Sequence, residues 1–120
     1  MNDTPWPTEL RISGDRRALS VTFDDGGGYE LPAEMLRVLS PSAEVQGHSP
    51  EQRVIVGGKR DITIGSVEPV GNYAVRLVFA DGHSTGIFTW RYLRELGTER
   101  EALWAGYLED LQRTGKSRDG

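Results

Sequence analysis

Apolar and polar residues alternate at period two through much of the first third of the chain. Leu10 and Ile12, then Leu19, Val21 and Phe23, fall on every second position, the spacing of a strand that buries one face. Asp24-Asp25-Gly26-Gly27-Gly28 breaks the run as a turn, and Tyr29 and Leu31 resume it, so an antiparallel start is predicted. Pro32 suits a first helical position, where its missing N–H matters little, and Pro41 discourages continuation. A short helix is therefore expected from Pro32 to about Leu39. Ser40 to Gln52, with two prolines, a glycine and small polar residues, reads as a loop.

Further on, Arg53-Val54-Ile55-Val56 and Ile62-Thr63-Ile64 flank Gly57-Gly58-Lys59-Arg60-Asp61 and predict a hairpin or meander. Tyr73, Val75, Leu77 and Phe79 make one apolar face, with Asp81-Gly82 turning into a strand around Thr85 to Phe88. Trp90 to Leu96 has helical spacing that Gly97 is expected to end, and Thr98-Glu99-Arg100-Glu101 matches a capping box opening a second helix. Leu103, Trp104, Tyr107, Leu108 and Leu111 share one face of that helix. The expected fold is α+β: a mainly antiparallel sheet of five to seven short strands, a short helix after the first hairpin and a C-terminal helix packed on one face. Residues 1–6 are expected to be an extension, residues 7–114 the domain, and residues 115–120, which offer nothing apolar to bury, a disordered tail.

Composition narrows the function classes. A chain of 120 residues suits one domain with a modest core. Fourteen basic and eighteen acidic side chains give a net charge of −4, which disfavours nucleic acid as a partner. Without cysteine, the chain cannot form a disulfide or a thiolate zinc site, and a reducing, cytoplasmic setting is expected. No apolar run approaches the roughly 20 residues of a membrane span, and the start lacks a signal-peptide pattern. The expected partner is a protein, and the chain itself a monomer or weak homodimer.

Local motifs yield little catalysis. Gly57-Gly58-Lys59 lacks the spaced glycine and following hydroxyl of a phosphate loop, and Gly26-Gly27-Gly28 lacks the third spaced glycine of a dinucleotide fingerprint. Asp81, His83 and Ser84 have the residue types of a hydrolytic triad, but neighbours on one tight turn cannot aim at one another in the required order. Asp81 is expected to bond turn amides instead. The two histidines, His48 and His83, lie near Glu44 and Asp81, so a mixed nitrogen and oxygen site for zinc, iron or manganese is chemically conceivable. Trp90, Tyr92 and Trp104 read first as core.

The stretch from Gly71 to Trp90, taken with Ser40 to His48, resembles the gamma-butyrobetaine hydroxylase-like N-terminal domain family, with likeness running from about Pro7 to Leu111. In the eukaryotic hydroxylase that names the family, the resemblance implies a structural zinc held by three loop cysteines and one histidine. Laid over that motif, the histidine falls on His83 and the cysteines on Ser40, Ser42 and Val45. All three thiols are missing, so the site is expected to be lost or rebuilt weakly around His83 with His48. The iron-binding His-x-Asp of the separate oxygenase domain has no counterpart, since Ser84 and Thr85 follow His83. Related domains are fused to ATPases of iron–sulfur cluster assembly, which implies an accessory or docking role rather than an enzyme. The expected interaction surface comprises Arg37, Ser40, Ser42, Glu44, His48, Asp81, His83 and Trp90.

Overall fold

The computed structural model describes residues 6–46 and 53–120, with Ala43 and Glu44 as backbone alone. The elements run β1 (Pro7–Ile12), β2 (Ala18–Phe23), β3 (Gly28–Pro32), α1 (Ala33–Val38), α2 (Ala43–Gln46), β4 (Ile64–Val70), β5 (Ala74–Phe79), β6 (Ile87–Thr89), α3 (Trp90–Thr98) and α4 (Arg100–Arg113). The class is α+β, but the six strands form two antiparallel three-stranded sheets, β1-β2-β3 and β4-β5-β6, in place of one expected sheet. A backbone bond joins them at the β1–β2 turn. Arg16, at φ 63°, accepts the Ile64 N–H on its carbonyl at 2.8 Å, and its guanidinium donates to Gly65 O at 3.0 Å.

Period-two alternation in β2 places Leu19, Val21 and Phe23 in the core, and register sets Leu19 opposite Leu31 and Val21 opposite Tyr29. From the second sheet come Val75, Leu77, Phe79 and Phe88. α3 packs against both β3 and β6, so Leu93 and Leu96 seal the space between the sheets. Each such fully buried side chain contributes about 1.5–3 kcal/mol. Thr89 starts α3 by accepting the Tyr92 N–H on Oγ1 at 3.1 Å.

Several expectations are corrected. Arg53–Val56 and Ile62–Ile64 do not form a hairpin: the strand begins at Ile64 and continues through Ser66, Glu68 and Pro69. As an edge strand, β4 tolerates a proline that a central strand would not. Residues 53–63 instead run as an arm whose backbone bonds to other elements, including Val54 N–H to Val45 O at 2.7 Å and Tyr107 Oη–H to Val56 O at 2.5 Å. Burial pushes the Tyr107 phenol up to about 12. Gly97 does not end α3; it lies under the Tyr29 ring, where a Cβ would come within 2.4 Å of the ring carbons. The capping box is absent because the Thr98 hydroxyl turns back to Arg94 O at 3.1 Å, and Glu99 caps α4 without a side-chain bond. On α4, Tyr107 and Leu111 are buried, Leu103 and Trp104 half-buried, and Leu108 exposed. Tyr73, expected on the buried face of its strand, is exposed at the β4–β5 turn.

Residues 115–120 are not a bare tail either. Gly58 N–H bonds Ser117 O at 2.9 Å, Arg60 N–H bonds Arg118 O at 3.1 Å, and Arg118 pairs with Glu34. Trp6, expected to belong to an extension, exchanges bonds with Asp24. Within the predicted loop, Ala43–Gln46 forms one helical turn.

Candidate functional site

Two chain segments far apart in sequence meet at His83. The first leaves α1 at Leu39, whose carbonyl accepts the Tyr92 hydroxyl; burial pushes that phenol up to about 12. Ser40 and Ser42 follow, 0% and 5% exposed. Gln46 Nε2 donates to Ser40 O at 3.0 Å, and Val45 and Gln46 amides bond Ser42 O, fixing the single turn of α2 over the serines. The second segment is the β5 turn, closed by Phe79 N–H to His83 O at 2.9 Å and by Gly82 at φ 92°.

His83 is 7% exposed and carries its imidazole inward beside the Phe79 ring. Its Nε2 lies 3.0 Å from Ser40 Oγ and 3.4 Å from Ser42 Oγ. A hydroxyl can donate or accept, so the Ser40 contact is satisfied in either histidine tautomer. Gly86 permits the approach: a Cβ there would lie 2.2 Å from Ser40 Oγ.

Asp81 works beside the imidazole, through the backbone. Its Oδ1 accepts the His83 N–H at 3.0 Å, the turn-amide role read from its position. Its Oδ2 pairs with Arg37 Nε at 2.9 Å and Lys59 Nζ at 2.6 Å. Burial would raise the carboxyl, but the hydrogen bonds from Lys59, the His83 amide and Arg37 outweigh it and hold Asp81 at about 2, below its ordinary 3.8. A carboxyl lowered on folding stabilises the fold above its unfolded value and loses that contribution as pH falls. Stability is therefore expected to drop by about 1–2 kcal/mol, with solvent screening allowed for, as pH falls from about 4 to 2. Asp81→Asn should cost about 2 kcal/mol at pH 7 and flatten the acid limb, because Arg37, only 12% exposed, would keep a charge without its partner. Urea titrations at pH 7, 4 and 2 measure both effects; identical acid limbs for the two proteins would refute the assignment to Asp81.

The donor set does not fit a zinc ion. One imidazole and two neutral hydroxyls stand where the resemblance implies one imidazole and three thiolates, and Val45, buried at 2% exposure, offers no donor. Among the described residues, no group of three or more His, Cys, Asp or Glu is placed to hold a metal. His48, the second expected ligand, lies outside the described residues, as does the Glu44 side chain.

Of the expected interaction surface, Ser40, Ser42 and His83 lie beneath the surface and present nothing to a partner directly. Arg37 and Asp81 are engaged with each other at its margin, and Trp90 is half-buried with Nε1 donating to Asn72 O at 3.0 Å. Sequence reasoning missed the outward side of the same loop. There Leu39, Pro41, Gln46, Arg53, Tyr92 and Glu95 line a recess of about 330 Å³. Val54, 46% exposed, follows Arg53 and is tied to α2 through Val45 O.

A family model described as gamma-butyrobetaine hydroxylase-like, N-terminal, matches residues 10–94. Two proteins solved by solution NMR share 46% and 44% identity with this chain, cover 97% and 98% of it and 91% and 88% of their own lengths, and superpose with TM-scores of 0.82 and 0.83. A crystal structure of a protein of unknown function from Acidithiobacillus ferrooxidans, belonging to the DUF971 family, shares 40% identity. That match covers 80% of this chain and 97% of the other, with a TM-score of 0.65. Among curated proteins, 77 residues are 36% identical to an envelope glycoprotein C homolog of Suid herpesvirus 1 (strain Indiana-Funkhauser / Becker). The match spans 64% of this chain but only 15% of that protein.

Proposed function

We propose that this chain, which belongs to the gamma-butyrobetaine hydroxylase-like N-terminal domain family, is a non-enzymatic accessory module that docks another protein, in iron–sulfur or oxygenase systems. One observation carries the reading. The polar groups at the histidine turn point inward and bond one another, so their chemistry goes into holding residues 39–46 in one shape. A buried Ser40 hydroxyl beside His83 has the atoms of a nucleophile and base, but with Ser40 0% exposed no substrate carbonyl reaches it. What the held loop offers to solvent is the recess of Leu39, Pro41 and Tyr92 with Arg53 and Glu95 at its rim. An apolar floor with charged edges is the usual anatomy of a small docking patch.

Affinity capture from the native cell, using a photo-crosslinker at position 54, tests the proposal. A single stoichiometric partner is expected, and Val54→Asp should weaken its capture roughly tenfold or more, the effect of removing an interface anchor. Repeated recovery of the chain without a stoichiometric partner would count against the proposal, as would a partner indifferent to Val54→Asp.

A further inference from the structure

On the opposite side of α1, a buried carboxylate and an indole hold a guanidinium between them. Glu34 is 6% exposed, and its two oxygens accept from Arg118 Nε at 2.8 Å and Nη2 at 2.6 Å. The Arg118 guanidinium carbon lies 5.3 Å from the Trp104 ring centroid. A two-pronged carboxylate with an aromatic face beside it selects arginine over lysine, whose ammonium is a point charge without a planar fork. Beyond the guanidinium the recess continues as a cavity of about 440 Å³ along Pro32, Met35, Trp104 and Leu108. Leu108 stands 40% exposed there.

The segment that fills this site is held by few contacts of its own. Gly115-Lys116-Ser117-Arg118-Asp119-Gly120 contains no apolar side chain, and every residue in it except Arg118 is exposed. Backbone bonds from Gly58 and Arg60, an exposed Arg60–Asp119 pair and Lys116 Nζ to Ile55 O hold it to residues 55–60. The segment carries no apolar side chain into the core, so apart from the Arg118 pair its hold is made of exposed polar bonds, the kind that open first.

We propose that the Glu34–Trp104 recess is a recognition site for an arginine-bearing extended segment of a partner protein, and that Arg118 occupies it in cis until displaced. This site is separate from the recess beside residues 39–46, and it stands or falls independently of docking there. The probe is the blocked hexapeptide Gly-Lys-Ser-Arg-Asp-Gly, followed through the indole N–H resonance of Trp104. In the full chain carrying Arg118→Ala the peptide is expected to shift that resonance saturably, with an affinity at least about tenfold above that for the wild type, since the competing occupant is gone. The shift should vanish with Glu34→Gln added, or with alanine replacing the peptide's arginine. A folded Arg118→Ala chain that shows no saturable shift, or binds no better than wild type, overturns the proposal. Hydrogen exchange of the unmodified chain gives a second reading. The Gly58 and Arg60 amides should exchange well before the Leu77 amide and faster still with peptide present, whereas exchange of all three together, through global unfolding alone, would show that the segment does not lift.

Discussion

Replacing Gly86 with alanine is expected to lower stability by about 2–4 kcal/mol, a fall of roughly 10–15 °C in Tm for a domain of this size. The backbone at Gly86 does not require glycine; the space around it does. An added Cβ would stand 2.2 Å from Ser40 Oγ, 3.4 Å from Ser40 Cβ and 3.2 Å from Phe88 Cε1. The serine hydroxyl can rotate away, but Ser40 is fully buried, so rotation breaks the shorter of the two serine contacts to His83 Nε2 and strands a buried hydroxyl. Each buried polar group left unpaired costs about 1–3 kcal/mol. The cost should depend on the serine. In a Ser40→Ala background the clashing oxygen is gone, and Gly86→Ala should then cost under about 1 kcal/mol, giving a coupling between neighbours of at least about 1 kcal/mol. Urea denaturation of the four proteins completes this cycle. Additive effects would mean that Gly86 serves something other than the Ser40–His83 contact.

Elements with one buried face were the readable ones. Leu19, Val21 and Phe23 alternate in sequence because β2 sits mid-sheet with one side on the core, and Val75, Leu77 and Phe79 do the same in β5. Beyond Ile64, β4 escaped because an edge strand buries little: among its residues only Ile64 is fully covered, and the rest show no buried alternation. The hold on residues 115–120 was invisible to periodicity, since its main contact is a charge pair between Arg118 and Glu34, 84 residues apart. The candidate site divides the same way. Asp81 bonding the amide two residues on in its own turn is local and was predictable from residue type. Ser40 and His83 are 43 residues apart, with no shared pattern, and only the family resemblance aligned them. That alignment gave which residues converge, while their burial came from packing that no short window of sequence encodes. Reading those serines as surface followed from the polar loop that holds them and its family likeness; in the fold each hydroxyl has the imidazole as a partner, which lets a polar group be buried.

Restoring three thiols is expected to give this fold a zinc site that its present donor set does not supply. In a Ser40→Cys, Ser42→Cys, Val45→Cys variant, sulfurs near the present hydroxyl positions would flank Nε2, from which Ser40 Oγ and Ser42 Oγ are now 3.0 and 3.4 Å away. A tetrahedral zinc with bonds of about 2.3 Å to sulfur and 2.0–2.1 Å to nitrogen needs sulfur and nitrogen about 3.6 Å apart, within a small side-chain adjustment of those values. Val45 supplies the third position from α2, one turn on and already buried. One zinc per chain with a Kd below about 10⁻⁷ M is expected, in the range of structural zinc peptides, together with proton release and a chelator-sensitive rise in Tm. Thiolates must lose protons to bind, so affinity should fall steeply with acid. The wild type should bind zinc at least about a hundredfold more weakly, having neutral hydroxyls in place of thiolates. Adding His83→Ala to the triple variant separates a four-ligand site from loose thiol binding, since the true site should lose about 10–100-fold or more of its affinity. A folded triple variant that takes up no stoichiometric zinc, or a wild type that binds as tightly, would break the link drawn between Ser40, Ser42, Val45 and His83. If the gain appears, the serine–histidine contacts are the hydrogen-bonded substitute for a metal tie between the loop and the β5 turn, holding the same two segments together without an ion.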